Sequence, residues 1–560
     1  MGNDGKIQKK NQKKNGEKTE LGAEGGKSWE NAAKNIGFVM FLSTAARGVS
    51  LLASIMYTTY FGTENLEIDI YSYAVNLPNL IFTCIGAALV TVVIPIYAGR
   101  LAEGDNQRAH RFTDNIISIS IILSAAIAVA GFFAAPLIVG LLNRFGAGNF
   151  GFAVFAIRIM FPVVIFHSLN YIFQGVLQSN NRFVMPAIVS LASGAAIIAY
   201  QLTLADEYGV SGLLFVTFAG LSLQALMLVP AVAATGYRYK PRIDLRDDDV
   251  RRAGKLALPV LVSSSSYQIN MFINSSLAAG FTGGVITISN AHNLVFTAAQ
   301  LFILSTLAVM FPKMSAQFAV KDIAGFKSNY SMVLKLIIYF AVPASAGLAA
   351  MSGHIISFLY GYGRMTEEGV GRMAAVFAVY AVAIASIGFK EAADRAFYSM
   401  KDSKTPALVS VFILISNVAL SLILINRLGI VGLPCAYSAS ITAGAALLLF
   451  LVRKRTGALI QHEKDGESIK SMLLKCVISS IIMTVVIILS DRFVFSGIDG
   501  VDGVGVMAGR VLRLLLPVVV GAASYFLLTL GLKVEQARRI LRAIATAIGL
   551  KRLSKVGAKS

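Results

Sequence analysis

The side chains able to do chemistry inside the long apolar runs of this 560-residue sequence are few. They are Arg47, Asp69, the polar set Asn76, Pro78 and Asn79, Arg158, the set Asn290, His292 and Asn293, and the cluster Lys390, Glu391, Asp394 and Arg395. These are cations and amides, suited to holding an anion or a polar headgroup, and not to cutting a bond. An ionisable group at mid-membrane costs roughly 3 kcal/mol, so those present face a cavity or a partner. Arg47, near the middle of its run, reads as a cation lining a cavity and drawing an anionic headgroup; the alternative is a structural pair or a snorkelling side chain. Asp69 stands at the mouth of the next run, either paired with Arg47 or solvated. Asn76, Pro78 and Asn79 form a polar, proline-bearing break of the kind that frees backbone groups to line a cavity. His292 has the chemistry to titrate or to donate to a phosphate, although a lone histidine is more often structural. Arg158, followed by Pro162, is a second candidate cation. Lys390 with Asp394 and Glu391 with Arg395 have i, i+4 spacing, which favours self-neutralising helix pairs over the alternative of a cytoplasmic gate. The run SSSSYQIN at 263–270 offers hydroxyls for packing or for sugar contacts.

Catalytic and metal chemistry find no support. There is no P-loop, no HExxH and no GxSxG, and the first nine apolar runs carry almost no acidic residue. Cys84, Cys435 and Cys476 lack metal-type spacing and read as structural thiols. No metal, no cofactor and no catalytic residue is expected.

The elements that must position these residues are transmembrane helices. Hydrophobic residues make up 56% of the chain and charged residues 14%, with a mean hydropathy of +0.68; a bilayer is the natural solvent for such a composition. Apolar runs fall at about 36–61, 71–98, 113–142, 151–178, 183–204, 208–235, 253–280, 284–312, 327–351, 367–399, 405–426, 429–452, 469–490 and 507–533, each long enough to span a hydrocarbon core. The net charge of +20 is concentrated in the tails and in alternate loops, which places both termini in the cytoplasm by the positive-inside rule and argues against nucleic acid. The first 32 residues are a polar, Lys-rich tail without a signal-peptide pattern, and basic tails suit anionic lipids.

The chain also repeats itself. NLPNLIFT at 76–83 recurs as NAHNLVFT at 290–297, and FTDN at 112–115 meets FKSN at 326–329 at the same offset of 214 residues. An offset of six spans gives copies of like orientation, and parallel repeats place a substrate path at their interface and rock one lobe against the other. The expected organisation is a tail over 1–32, an N-terminal lobe over 33–235, a cytoplasmic linker over 236–252, a C-terminal lobe over 253–455, a helix pair over 456–534 and a basic tail over 535–560.

IDIYSYAVNLPNL (68–80), VIPIYA (93–98), RIMFP (158–162), NRFVMPA (181–187), VMFPKMS (309–315), LYGYGRMT (359–366) and AFYSMKDSKTP (396–406) stand in family-like order and spacing. Through them the chain, from about 36 to 533, resembles the MurJ (MviN) lipid II flippases of the multidrug/oligosaccharidyl-lipid/polysaccharide exporter superfamily. The resemblance implies a V-shaped two-lobe bundle in the bacterial cytoplasmic membrane. Its central cavity would bind the diphosphate and sugars of lipid-linked peptidoglycan precursor, and its last two helices would hold the polyprenyl tail. It further implies transport without ATP, drawing on membrane potential or a cation gradient, alongside cell-wall synthesis machinery. Arg47 matches a family arginine and Asp69 a family aspartate. The chain departs from the family where Ala53, Phe82 or Thr83, and Asn293 replace cavity arginines. A flippase for another polyprenyl-diphosphate glycan therefore stays open beside lipid II, with a cation-coupled drug exporter and a non-transporting scaffold as weaker alternatives.

Overall fold

The computed structural model describes residues 44–142, 147–180, 182–457, 468–492 and 506–547, together with Leu42. The expected tail over 1–32, the opening of the first span, the end of the 535–560 tail and the side chain of Cys84 lie outside the described residues. Among the described residues every regular element is a helix. In order they are α1 (44–61), α2 (Leu66–Ala102), α3 (Asn106–Leu142), α4 (Phe150–Met160), α5 (Val163–Ser179), α6 (Val184–Ile188), α7 (Ser190–Thr203), α8 (Ala205–Ala233), α9 (Asp248–Ala278) and α10 (Gly284–Ala319). There follow α11 (Ile323–Ala350), α12 (Ser352–Tyr360), α13 (Glu367–Val382), α14 (Ile384–Ser399), α15 (Lys404–Leu428), α16 (Gly432–Thr456), α17 (Ile469–Ser490), α18 (Val506–Gly531) and α19 (Glu535–Ala547). Among the described residues nine stretches are long and apolar enough to cross a membrane, one of them, Lys404–Thr456, covering both α15 and α16. Large apolar side chains point outward along them, Phe133 at 74% exposure and Leu202 at 73%. That is the pattern of a surface solvated by lipid.

Helix starts are chemically marked. Asp322, Thr366 and Ser468 each accept the backbone N–H three residues on, satisfying an orphan donor of α11, α13 and α17. Breaks fall where the sequence reading did not put them. The expected discontinuity at Asn76, Pro78 and Asn79 is absent, because α2 runs unbroken through all three, and α10 likewise runs through Asn290, His292 and Asn293. A membrane helix tolerates proline where neighbouring groups re-satisfy the freed backbone. The actual interruptions within the expected spans lie at Phe161 and Pro162 between α4 and α5, at Val189 between α6 and α7, and at Ala383 between α13 and α14.

The chain divides into two compact units. The first comprises the described residues of Met1–Ser54, Leu89–Ala126 and Ile165–Lys255. Its helices close on small residues: a Cβ on Gly220 of α8 would lie 2.9 Å from the Ser193 backbone of α7, the near approach that small side chains permit in membranes. A chain of buried amides crosses the same helices, with Gln174 donating to Asn170, Asn170 to Gln224 and Gln224 to Ser193. The second unit comprises Ile55–Ala88, the described residues of Ile127–Val164 and those of Leu256–Ser560. Its largest apolar core is drawn chiefly from α10, α11, α13, α14 and α16.

In the first unit the segment between α8 and α9 is a strap pinned to α3. Asp114 accepts from the Tyr237 hydroxyl at 2.7 Å and from the Lys240 N–H at 3.0 Å, and Asn115 accepts the Asp244 N–H at 2.9 Å. Asp249, in the first turn of α9 and ahead of its apolar part, is buried between two guanidinium groups. Arg100 Nη2 reaches its Oδ1 at 2.6 Å, while Arg100 Nε and Arg108 Nε reach its Oδ2 at 3.0 and 2.9 Å. The bonded Arg100 holds the Asp249 carboxyl below the usual carboxylate range, and Arg108 adds to the effect. A carboxyl that titrates lower when folded contributes fully above its unfolded value of about 4, and the contribution fades as pH falls through the folded value. Asp249→Asn should therefore cost roughly 3 kcal/mol at neutral pH, read as a lower melting temperature in detergent, and the gap to the parent protein should narrow below about pH 4. An unchanged gap across that range would remove the ion pair from the account.

Candidate functional site

Most of the sequence-predicted residues meet in the second unit, where α1 and α2 pack beside α9 and α10. Gly283, which precedes α10, has a left-handed φ of 68°, and a Cβ there would lie 2.1 Å from the Thr63 carbonyl oxygen. Only glycine fits both demands. This seating brings Asp69 to the start of α10, where its Oδ1 accepts the Ile286 N–H at 2.9 Å. A carboxylate at a helix N-terminus satisfies an orphan donor and complements the dipole. Asp69 is fully buried, and its Oδ2 has no hydrogen-bond partner among the described residues. Neither the solvated carboxylate nor the Arg47 pair weighed from sequence accounts for this bond; Asp69 is a buried helix cap.

Two repeat-equivalent asparagines tie the same helices together. Asn76 Nδ2 of the first copy donates to Ser289 Oγ at 3.2 Å, and Asn290 Nδ2 of the second donates to Thr58 Oγ1 at 2.9 Å. Tyr73 adds a hydroxyl contact to Ser276 at 3.4 Å. At the end of this seam Arg372 bonds the Glu64 carboxylate and donates to the Thr282 carbonyl at 2.9 Å. The Arg364 backbone N–H donates to the Thr59 carbonyl at 2.8 Å. Neither arginine was singled out from sequence, although both lie in or just after the LYGYGRMT segment that carries the family resemblance.

The remaining candidates separate. His292 is buried in an aromatic cage: its ring stacks on Phe296 with centroids 5.7 Å apart, meets Tyr380 and Tyr437 edge-on, and presents Nε2 3.4 Å from the Tyr267 hydroxyl. Asn293 is exposed one residue further on, and Pro78 and Asn79 stay within the turns of α2. Arg158 is held against α3, its Nε donating to the Phe132 carbonyl at 3.3 Å and its Cζ 4.9 Å from the Phe132 ring centre. Arg47, in the first unit, is exposed on α1 next to fully buried Ala46.

Lys390, Glu391, Asp394 and Arg395 all line a cavity of about 370 Å³ in the second unit, with Tyr267, Asn270 and Tyr437 opposite. Lys390 Nζ is 2.6 Å from Asp394 Oδ2 and 4.0 Å from Glu391 Oε1. The expected pair of Glu391 with Arg395 does not form among the described residues; the Arg395 guanidinium lies over the Phe311 ring instead, 5.5 Å from its centre, a cation–π contact that satisfies it without a carboxylate. A second cavity, of about 570 Å³ and almost wholly apolar, runs between α11, α17 and α18 and ends at Ile540 of α19. No group of three or more His, Cys, Asp or Glu side chains suited to a metal ion occurs among the described residues.

The model of the family described as "Lipid II flippase MurJ" matches residues 57–499. The probable lipid II flippase MurJ of Rickettsia prowazekii is 24% identical over 461 residues, covering 81% of this chain and 89% of that protein. The lipid II flippase MurJ of Burkholderia cenocepacia is 25% identical over 427 residues, covering 73% and 81%. Among solved structures, a lipid II flippase MurJ in an inward closed conformation aligns with a TM-score of 0.74 at 22% identity, over 88% of this chain and 98% of that one. An inward-facing multidrug resistance MATE family transporter of the MOP superfamily aligns with a TM-score of 0.64 at 16% identity, over 75% and 96%. At these identities the solved structures establish the fold, that of a polytopic helical membrane protein.

The fit at Gly283 is open to a direct check. Gly283→Ala should lower the stability of the purified protein by about 2 kcal/mol, seen as an earlier thermal transition, because the left-handed backbone is strained and the Thr63 carbonyl must move. A variant melting with the parent would show that this loop does not seat α10.

Proposed function

The chain belongs to the lipid II flippase MurJ family, and from that premise we propose that it moves lipid II from the inner to the outer leaflet of the bacterial cytoplasmic membrane by alternating access, supplying cell-wall synthesis. On this reading it is a transporter with no bond-breaking chemistry of its own, built from about fourteen spans with both termini in the cytoplasm. It works without ATP, drawing on the membrane potential or a cation gradient.

The observation that carries the reading is the apolar cavity between α11, α17 and α18. Its walls of Phe340, Leu348, Met483, Ile487 and Val518 offer no hydrogen bonds and suit a long hydrocarbon chain, which gains about 0.8 kcal/mol per buried CH₂. In the first unit Arg47, an exposed cation on α1, has the fork geometry that matches a diphosphate and is the candidate for the headgroup. Arg539 and Arg542 lie exposed on α19, where they suit anionic lipid headgroups at the membrane surface, and the same face is open to cell-wall synthesis machinery.

One observation keeps a second substrate in play. Ala53 and Phe82 are each 2% exposed, so two of the positions where the family resemblance leads one to expect cations are buried and apolar here, and a third, Asn293, is exposed but uncharged. A related polyprenyl-diphosphate glycan is the alternative cargo.

Complementation separates the two. A host depleted of its own lipid II flippase should regain externally exposed lipid II when this chain is expressed, and Arg47→Ala should abolish the rescue at unchanged protein level. A stably inserted chain that gives no rescue transfers the assignment to the other glycan, and full rescue by Arg47→Ala removes Arg47 from the headgroup site. Ala522→Trp, which fills the apolar cavity, should reduce rescue several-fold while leaving insertion intact.

A further inference from the structure

The strap between α8 and α9 has an outer side that the fold leaves unexplained. Its inner side is fastened to the start of α3, where the Tyr237 hydroxyl and the Lys240 N–H bond Asp114, the Arg242 N–H reaches Ser118 Oγ at 3.2 Å, and the Asp244 N–H bonds Asn115. Fastened in this way, the strap leaves Arg238, Lys240, Arg242 and Arg246 exposed, with Ile243 at 62% and Leu245 at 65% exposure among them. Two large aliphatic side chains that open to solvent, set among cations, mark an interaction surface. The carboxylates nearby are already engaged. Asp114 holds the strap, Asp247 accepts the Asp249 and Val250 N–H groups at the first turn of α9, and Asp244 bonds the Arg246 N–H and the Arg242 side chain at 3.0 and 3.4 Å. Arg238, Lys240 and Arg246 have no ion-pair partner among the described residues.

The depth of the strap decides which partner meets both chemistries at once. Asp114, Asn115 and Ser118 stand where α3 passes from the polar NQRAHRFTDN to the apolar IISISIIL, which is the boundary between headgroups and acyl chains. At that level phosphate anions and hydrocarbon lie within one side chain's length of each other, and cations set beside large aliphatic residues bind there. Each Lys or Arg near an anionic leaflet strengthens the attraction about fivefold. We infer that the outer side of the strap is a docking surface for anionic lipid headgroups of the adjoining leaflet, with Arg238, Lys240 and Arg246 on the phosphates and Ile243 and Leu245 among the first acyl carbons. The surface belongs to the first unit alone and does not depend on the identity of the cargo.

The test uses the full chain in lipid nanodiscs, with Ile243→Trp as the reporter in a Trp29→Phe background, Trp29 being the single native tryptophan. Brominated acyl chains quench tryptophan on contact, so quenching is compared at equal mole fractions of brominated phosphatidylglycerol and brominated phosphatidylcholine. The surface predicts roughly threefold stronger quenching by the anionic lipid. Replacing Arg238, Lys240 and Arg246 together by glutamine should bring the two lipids level, and molar salt should do the same by screening. Arg242, Arg251, Arg252 and Lys255 remain in the same segment and preserve the charge bias that orients the chain; if the triple variant fails to insert, the salt arm carries the decision. Equal quenching by the two lipids in the reporter protein, or a preference that survives both neutralisation and salt, overturns anionic headgroup binding. A reporter quenched by neither lipid lies in water, which overturns the lipid surface and transfers the patch to a protein partner.

Discussion

No water reaches the backbone in the hydrocarbon core, so every N–H and C=O there must find its partner inside the protein. That constraint explains why helices are the regular structure among the described residues, and why Pro78 sits in an uninterrupted helix while the chain breaks elsewhere. It also governs side chains. The polar groups at depth are bonded largely to one another, Asn170 to Gln224, Asn76 to Ser289 and Asn290 to Thr58, and few of them wait for solvent.

The strength of those bonds decides what the seam can do. An interhelical hydrogen bond in a membrane protein is worth about 0.6 kcal/mol on average, because the separated helices also find partners. The two asparagine bonds and the Tyr73 contact together hold the α1, α2, α9 and α10 seam by about 2 kcal/mol on that scale. Contacts this weak fix a register without locking it, which suits helices that must part and re-form in a transport cycle. The tighter fits lie at one end, where Gly283 meets Thr63 and Arg372 bridges Glu64 and Thr282. The seam is better described as hinged at that end than as uniformly glued.

Much of this was legible in the sequence, and the failures have a common cause. Apolar run length carried the helical membrane fold, and the repeat pointed to Asn76 and Asn290, whose equivalent amides do the same job in each copy. Local spacing misled where a stronger partner lay on another helix. Glu391 and Arg395 have ideal i, i+4 spacing, yet Arg395 is taken by the Phe311 ring. Asp69 was read as either paired with Arg47 or solvated because the chain alone shows no other partner, and its partner is the N-terminus of α10, 217 residues away. Proline read as a breaker because the chain alone does not show which neighbours restore a helix. Arg364 was passed over because its bond to Thr59 is made by its backbone, and Arg372 because Glu64 and the Thr282 carbonyl that it bonds lie 308 and 90 residues away.

The two charge clusters balance their charges in different surroundings. At Asp249 the carboxylate is held by Arg100 and by Arg108, whose side chain is 43% exposed, and Arg100 also bonds Glu103 at 2.7 Å. Glu103 and Arg108 face the water, where salt screens them, so the cluster is complete as it stands. At Lys390 one ammonium lies near two carboxylates, with the Asp394 side chain 7% exposed, and Arg395 in the same cavity supplies the second positive charge. There solvent screening is weak, and desolvation makes an unbalanced charge far more expensive. Both sets therefore pair two cations with two carboxylates, and what differs is where each lies relative to the water: the strap cluster can lean on solvent, whereas the cavity cluster must find its balance within the protein.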